Sequence, residues 1–158
     1  MTEHLAERRE LEGHRTALVR VRDLPADALI GADAGHPEIA EVITKIHEAD
    51  GLVVASPIYK AAYTGVLKAF LDLLPHLAFA GKVVLPLLTG AGQVHSLALD
   101  YALRPVLSSL GPYHIVPGIF LVDKEIDQPD ARRAAYAALD IFAGALNGDR
   151  ARESAARP

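Results

Sequence analysis

Apolar residues are spaced in two ways along the chain, and stretches of the two kinds alternate. After Pro37, which suits the first turn of a helix, they recur at the i, i+3, i+4 and i+7 positions of one helix face: Ile39, Val42, Ile43 and Ile46. Residues 51–56 and 83–88 are continuously apolar instead, which is typical of strands buried on both faces of a sheet. The chain therefore combines helices with buried strands.

The same patterns predict the remaining elements. Further strands are expected at residues 16–22 and 114–122, and further helices at 2–12, at 64–74, from the glycine-rich loop to Leu110, and at 129–146. Strands that alternate with helices form βαβ units, so the prediction is an α/β fold with an open, doubly wound parallel sheet. The chain length favours the open sheet over a TIM barrel, which needs about 200 residues or more. The 158 residues predict one domain, 1–148, followed by a frayed tail at 149–158.

Such a sheet binds ligands at the carboxyl ends of its strands, where two loops stand out. The first, Pro57-Ile58-Tyr59-Lys60, combines a proline, an aromatic ring and a cation. A planar heteroaromatic ligand would use such an apolar and aromatic wall. The alternative is an ordinary turn in which Tyr59 covers the edge of the core and Lys60 is solvated.

The second loop is Thr89-Gly90-Ala91-Gly92, which follows the next predicted strand. Its glycines let the backbone approach a ligand closely, although a plain turn has the same composition. It is neither a dinucleotide-binding fingerprint nor a phosphate-binding P-loop. His95 follows this loop, as a ligand contact or as a structural histidine.

Pro105 lies inside the predicted helix that ends near Leu110. Proline has no N–H and crowds the carbonyl four residues earlier, which belongs to Tyr101. Either a simple kink or a π-bulge around Tyr101 relieves the conflict, and π-bulges often mark functional sites.

Composition narrows the function classes. The chain is 51% hydrophobic and 23% charged, which is ordinary for a globular protein and excludes disorder, collagen and coiled coil. A formal net charge of −4 argues against nucleic-acid binding, and the absence of cysteine excludes disulfides and thiol chemistry. No apolar run reaches the ~18 to 20 residues that span a bilayer, and the charged N-terminus is unlike a signal peptide, so a cytoplasmic protein without membrane contact is expected.

The sequence offers no set of catalytic side chains. Its seven histidines lack metal-ligand spacing, so no metal site is predicted, and there are neither paired carboxylates nor a serine in a nucleophile elbow. These absences point to a reaction in which a cofactor does the chemistry and the protein positions it.

Several of these stretches resemble one family, the NAD(P)H-dependent FMN reductases of two-component alkanesulfonate monooxygenase systems. The resemblance covers about residues 15–145. It is carried by residues 56–65, 67–68, 71–75, 81–86 and 100–107 together with Thr89-Gly90 and His95. It implies a flavodoxin-like fold with five parallel strands in the order 2-1-3-4-5. It also implies hydride transfer from NAD(P)H to N5 of FMN, delivery of reduced flavin to a partner monooxygenase, and a homo-oligomer, either dimer or tetramer.

The resemblance assigns roles to the residues of both loops. Pro57, Ile58, Tyr59 and Lys60 would cradle the isoalloxazine, Thr89, Gly90, Ala91 and Gly92 would meet its pyrimidine edge, and His95 joins this cofactor-binding set. Tyr101 matches a tyrosine that the family places in a π-helix at the tetramer interface, close to the flavin, as a tuning residue. No catalytic acid or base and no metal are implied. Pro86 is placed inside the sheet, so its missing donor is expected at a bulge or at the end of the strand.

The sequence departs from the family pattern at its start. Family members begin with a strand and a serine-rich phosphate loop, whereas this sequence begins inside what matches the first helix. Three explanations compete: the natural start lies upstream; the sheet has rearranged, with strand 2 against strand 3 or against another chain; or flavin chemistry is lost and the protein serves as an oligomeric scaffold or interaction protein.

Overall fold

A computed structural model describes the backbone of residues 14–156 and the side chains of residues 14–148. The strands are β1 (Gly51–Tyr59), β2 (Ala62–Tyr63), β3 (Val83–Gly90), β4 (His114–Ile115) and β5 (Ile119–Val122). The α-helices are α1 (Ala26–Ile30), α2 (Pro37–Glu48), α3 (Gly65–Asp72), α4 (Arg104–Ser109) and α5 (Pro129–Ala156). Turns of 3₁₀ helix lie at Val21–Asp23, Gln93–Leu97 and Asp123–Glu125, and a π-helix lies at Leu99–Leu103. The predicted helix at 2–12 lies outside the described residues.

The sheet is mostly parallel, as the alternation of strands and helices predicts. β3 lies at its centre, with β1 parallel on one side and β4 and β5 parallel on the other. The short β2 pairs antiparallel with the end of β1 and makes the sheet mixed rather than all parallel. Because β1 and β3 pair in register from Gly51↔Val83 to Pro57↔Thr89, their carboxyl ends lie side by side.

Each face of the sheet is covered by its own hydrophobic core. Alternate residues of β3 point to opposite faces, so Val84 and Leu88 pack under α2, α3 and α4, and Leu85 and Leu87 pack under α5. All six residues from Val83 to Leu88 are buried, which explains the continuously apolar sequence of this strand. The expectation of helices on both faces is confirmed.

The strand predicted at 16–22 is wrong. These residues have no regular structure up to Arg20, and a 3₁₀ turn follows at Val21–Asp23. A strand needs a neighbour that pairs with its backbone, and within residues 14–156 only β2 pairs with the outer edge of β1. The apolar side chains of the segment, including Val19 and Val21, instead pack against the core under the helices.

The strand predicted at 114–122 is divided into β4 and β5. Val84 pairs with Ile115, and Leu87 pairs with Ile119. The three residues between β4 and β5 therefore lie opposite only two residues of β3, which is a bulge. Pro86 lies opposite the interruption, where its missing N–H costs no ladder hydrogen bond. The expectation that the donor of Pro86 falls at a bulge is therefore confirmed.

The helix predicted to end near Leu110 consists of three segments. A 3₁₀ turn leads into the π-helix, whose fifth-residue hydrogen bond runs from the N–H of Arg104 to the carbonyl of Leu99. Pro105 then lies in the first turn of α4, where an N–H is not needed. Of the two ways to accommodate Pro105, the π-helix around Tyr101 is the one that the structure shows.

Two element ends differ from their predicted positions. β1 continues past Ser56 to Tyr59, so the first three residues of the predicted loop are strand. The last helix begins at Pro129, as predicted, but continues through Gly148 to Ala156. A glycine weakens a helix by only about 1 kcal/mol, which is too little to end one by itself. Among the described residues, no helix is long and apolar enough to cross a membrane.

Candidate functional site

The candidate site lies where β1, β3 and β5 end. Pro57 of β1 is level with Thr89 of β3, and Gly90 of β3 is level with Val122 of β5. Carboxyl ends of adjacent parallel strands, about 4.8 Å apart, form the edge at which doubly wound folds bind ligands. The structure therefore brings together the two loops that the sequence analysis selected.

The end of β1, the turn that follows it and β2, together residues 57–63, are closed at their base by Ser56 and Thr64. The Ser56 hydroxyl, which is buried, accepts a hydrogen bond from the Thr64 N–H at 3.0 Å and donates to the carbonyl of Pro57 at 2.8 Å. The Thr64 hydroxyl in turn accepts from the N–H of Leu67 and caps α3. These contacts hold residues 57–63 as a projecting unit with fixed ends.

The projecting unit is a tight β-hairpin rather than an open loop. Tyr59 pairs with Ala62, and the two residues between them, Lys60 and Ala61, have φ values of 51° and 65°. Two consecutive positive φ values are typical of a type I′ turn, which normally carries asparagine and glycine. The hairpin therefore holds backbone strain next to the candidate site, where such strain is often functional.

The turn leaves its aromatic ring and its cation outside the core. Tyr59 is 64% exposed, and Lys60 is exposed as well. The ordinary-turn alternative is therefore wrong about Tyr59, which does not cover the edge of the core. It is right about Lys60, which is solvated. Tyr63, on the returning strand, is half-buried, and its burial raises the pKa of the phenol above the ordinary value.

The second loop is built around a glycine that no other residue can replace without displacement. A Cβ on Gly90 would lie 3.2 Å and 3.3 Å from two ring atoms of Phe120 and 3.4 Å from Nδ1 of His95. Gly90 is buried, and the rings of Phe120 and His95 lie directly over its backbone. The N–H of His95 donates to the carbonyl of Gly92 at 3.0 Å, which fixes the loop between them.

His95 carries the one buried side-chain atom without a hydrogen-bond partner among the described residues. That atom is Nδ1. A buried polar atom without a partner costs about 1–3 kcal/mol, so such atoms usually have a partner that the protein itself does not supply. A flavin ring offers carbonyl and N–H groups for this purpose. The glycine without room for a side chain, the exposed tyrosine and this nitrogen fit a planar ring with polar edges.

Tyr101 lies in the π-helix and projects into solvent. It is 81% exposed, and the adjacent Asp100 is bound to Arg104 by an ion pair of 2.9 Å. Arg104 also donates to the carbonyl of Ile115, so the ion pair ties the π-helix to β4. The strand β2 packs against this π-helix, which places Tyr101 beside the hairpin of the first loop.

A cavity of about 430 Å³ lies beside the second loop, and the sequence analysis missed it. Gln93 lines one side, residues 120–122 at the end of β5 line another, and the first turn of α5 closes it. The rule that strand ends bind ligands applied to β5 as well, but the break in this strand and its 3₁₀ turn gave no recognisable motif. The sequence analysis also missed the closing contact of Ser56 with Thr64.

The described residues form no group of three or more side chains that could hold a metal ion. The candidate site at the ends of β1 and β3 consists of apolar, aromatic and backbone groups around His95, with the exposed Lys60 at its rim.

The fold is flavodoxin-like, and the candidate site lies at the strand ends, where this class of fold binds its ligands. A model of the NADPH-dependent FMN reductase family matches residues 1–127, and the chain belongs to that family. The family assignment made from the sequence is thereby confirmed.

Two relatives illustrate the similarity. The FMN reductase (NADPH) of Pseudomonas putida is 42% identical over 123 residues, which are 78% of this chain and 62% of the relative. The FMN reductase (NADPH) of Escherichia coli K12 is 46% identical over 106 residues, which are 67% of this chain and 56% of the relative. The chain thus spans about three fifths of the length of these curated relatives.

Solved structures agree with the fold. The apo form of the NADH:FMN oxidoreductase EMOB superposes with a TM-score of 0.68 at 42% identity, over 85% of this chain and 70% of that one. An oxidoreductase from Corynebacterium diphtheriae superposes with a TM-score of 0.74 at 28% identity, over 94% of this chain and 83% of that one.

Proposed function

We propose that this protein reduces FMN with NAD(P)H. The observation that carries the proposal is the meeting of the two loops at the ends of β1 and β3, with Tyr59 exposed on one side and the Gly90–His95 pair on the other. Membership of the FMN reductase family supports it. FMN, when bound, supplies the redox chemistry by accepting a hydride from the nicotinamide.

The residues of the chain bind and align rather than react. Pro57, Ile58 and Tyr59 offer an apolar and aromatic wall, and Lys60 stands at its rim. On the other side, Thr89, Gly90, Ala91 and Gly92 present backbone that a ring edge can approach closely. Such alignment, with backbone N–H groups near the negative charge of the reduced ring, is what a cofactor-dependent protein contributes.

His95 supplies the polar contact of the site. Its buried Nδ1 has no partner among the described residues, and a hydrogen bond to the edge of the flavin ring would satisfy it. The residue therefore orients the flavin. Tyr101, on the π-helix beside the hairpin, tunes the flavin environment and takes no proton.

An assay of nicotinamide oxidation tests the proposal. Absorbance at about 340 nm should fall only when FMN is present, because FMN is the acceptor. His95→Phe should raise the KM for FMN by about tenfold, while the exposed control His76→Phe should leave it unchanged. Oxidation that does not depend on FMN, or no oxidation, would contradict the proposal.

The reduced flavin would be consumed by a partner monooxygenase of the sulfonate-sulfur type, as the family resemblance implies. The support is the exposure of the loops at the sheet edge, from which a reduced flavin can leave. A coupled assay tests this step: a flavin-dependent alkanesulfonate monooxygenase that receives no other reductant should turn over when this protein, FMN and NAD(P)H are added. No turnover while FMN is being reduced would contradict it.

We also propose self-association through the apolar surface next to the site. Its large exposed side chains are Tyr59 (64% exposed), Val94 (75%), Leu97 (61%) and Tyr101 (81%). Contiguous exposed apolar side chains mark interaction surfaces. Light scattering should therefore show a dimer or tetramer, and Leu97→Glu should lower the mass. A monomer at micromolar concentration would contradict the proposal.

A further inference from the structure

The cavity of about 430 Å³ is a second compartment of the same sheet edge. It lies at the end of β5 and over the first turn of α5, and neither Tyr59 nor Gly90 lines it. Gln93, which follows the glycines of the second loop, lines the cavity and so connects it with the proposed flavin site. Its volume falls within the range of small-molecule sites, roughly 300–1,000 Å³.

The walls of the cavity combine two kinds of surface. One is apolar and includes Phe120 and two small residues of α5, Ala131 and Ala134. The other consists of hydrogen-bonding groups, with the amides of Gln93 and Gln128. A flat heterocycle with a sugar attached matches this combination, since the base needs an apolar wall and the sugar needs polar partners.

The charge on the lining is negative. Glu125 and Asp130 both line the cavity, and neither lysine nor arginine does. Asp130 is bound to Arg133 at 3.2 Å, whereas Glu125 has no ion pair with any described residue. The backbone of Glu125 is held in place, because its carbonyl accepts from the N–H of Gln128 at 2.8 Å. The backbone of Glu125 is therefore held at the cavity, and its exposed carboxylate has no ion-pair partner among the described residues.

We propose that this cavity takes the adenosine half of the nicotinamide dinucleotide, and that Glu125 makes the protein prefer NADH to NADPH. A carboxylate accepts hydrogen bonds from the 2′-hydroxyl of an adenosine ribose, and it repels the 2′-phosphate that NADPH carries there. The inference rests on the proposed function, and it names which of the two hydride donors is used.

The spacing of the strands makes the arrangement possible. β5 is the neighbour of β3, so its end lies only about 4.8 Å from that of β3 in the plane of the sheet. The proposed flavin site and the cavity therefore lie at adjacent strand ends, which is the arrangement that a dinucleotide bound across both requires. The similar proteins include an FMN reductase named for NADPH and an FMN oxidoreductase named for NADH. Family membership therefore leaves open which of the two donors this protein prefers.

Binding of two adenosine fragments tests the inference without any catalytic turnover. Calorimetry should show that AMP binds at least about tenfold more tightly than adenosine 2′,5′-bisphosphate. Glu125→Lys should lower the ratio of the AMP affinity to the bisphosphate affinity by about tenfold or more, and Glu125→Gln should lower that ratio less. Glu48→Lys is the matched control, because Glu48 is exposed at the end of α2, at the opposite edge of the sheet, and it should leave the ratio unchanged.

Each outcome decides one of the two proposals. Tighter binding of the bisphosphate, equal binding of the two fragments, or binding of neither overturns the inference about the cavity. FMN reduction that proceeds equally well with NADPH and with NADH also overturns the inference about the cavity, but it leaves the proposed function standing. Selective AMP binding without any FMN reduction overturns the proposed function and leaves an adenosine site.

Discussion

The Ser56 hydroxyl accepts a hydrogen bond from the backbone N–H of Thr64 at 3.0 Å, and this contact closes the hairpin that carries Tyr59. Both residues are buried, so the contact lies under the candidate site rather than within it. It joins β1 to the N-cap residue of α3. The position of the aromatic wall therefore depends on a pair of residues that cannot touch a ligand themselves.

Ser56→Ala should destabilise the protein and loosen the first loop. The substitution leaves the buried N–H of Thr64 without a partner, which costs about 1–3 kcal/mol in the free energy of unfolding. Chemical denaturation measures this loss, and the affinity for FMN should fall with it. The exposed Ser109→Ala is the control and should change the free energy by about 0.5 kcal/mol or less. Equal effects of the two substitutions would contradict the role of Ser56.

Gly90→Ala should weaken both FMN binding and the fold. Its Cβ would lie 3.2 Å from the Phe120 ring, so the ring and His95 must move, at a cost of about 1–3 kcal/mol. Gly65→Ala, at the first position of α3, has nothing within 4 Å of the new Cβ and should stabilise the helix slightly. Denaturation and FMN titration of the pair check the prediction, and an unperturbed Gly90→Ala would refute it.

Ala61→Gly should stabilise the protein by about 0.5–1 kcal/mol. The φ of Ala61 is 65°, which costs an alanine roughly 1–2 kcal/mol but is free of strain for glycine. Ala69→Gly in α3 is the opposite control and should cost about 1 kcal/mol. If the two substitutions change the unfolding free energy in the same direction, the hairpin is not strained.

Lys82 gives the protein a predictable response to pH. Its ammonium is buried and donates to the carbonyls of His47 and Ala49 at the end of α2, and burial lowers its pKa below the ordinary 10.5 although Asp50 raises it. Between the lowered pKa and 10.5 the unfolded chain binds more protons, so the unfolding free energy rises with pH in that window.

Lys82→Met should reveal this dependence. It leaves two carbonyls without their donor and should cost about 1–3 kcal/mol at neutral pH. The difference between the wild type and Lys82→Met should then grow as the pH approaches 10.5. The exposed control Lys45→Met should show neither effect, and a difference that shrinks with rising pH would contradict the assignment.

The parts of the fold that periodicity determines were predictable. β3 is apolar because both its faces are buried, and α2 shows one apolar face because only one is buried, so each pattern reports its surroundings directly. Pro105 predicted a disturbance at Tyr101 from its missing N–H alone. The segment at 16–22 failed because its β-branched residues indicate burial but not whether a neighbouring strand is present.

The site was predictable only as far as strand ends could be located. The two loops were found because they follow continuously apolar stretches, whereas the cavity depends on how Gln93, Glu125 and the first turn of α5 come together. Gln93 is distant in sequence from Glu125 and α5, and no regular spacing links it to them. The closing contact of Ser56 escaped notice for the same reason, since an eight-residue separation matches no local motif.

A titration of the protein with FMN, followed by flavin fluorescence, is the decisive test of a flavin site at the strand ends. We expect saturable binding of one FMN per chain, weakened by about tenfold or more in Gly90→Ala and unchanged in Gly65→Ala. Absence of saturable binding, or binding that Gly90→Ala leaves unaltered, would contradict the assignment of the flavin site to the ends of β1 and β3.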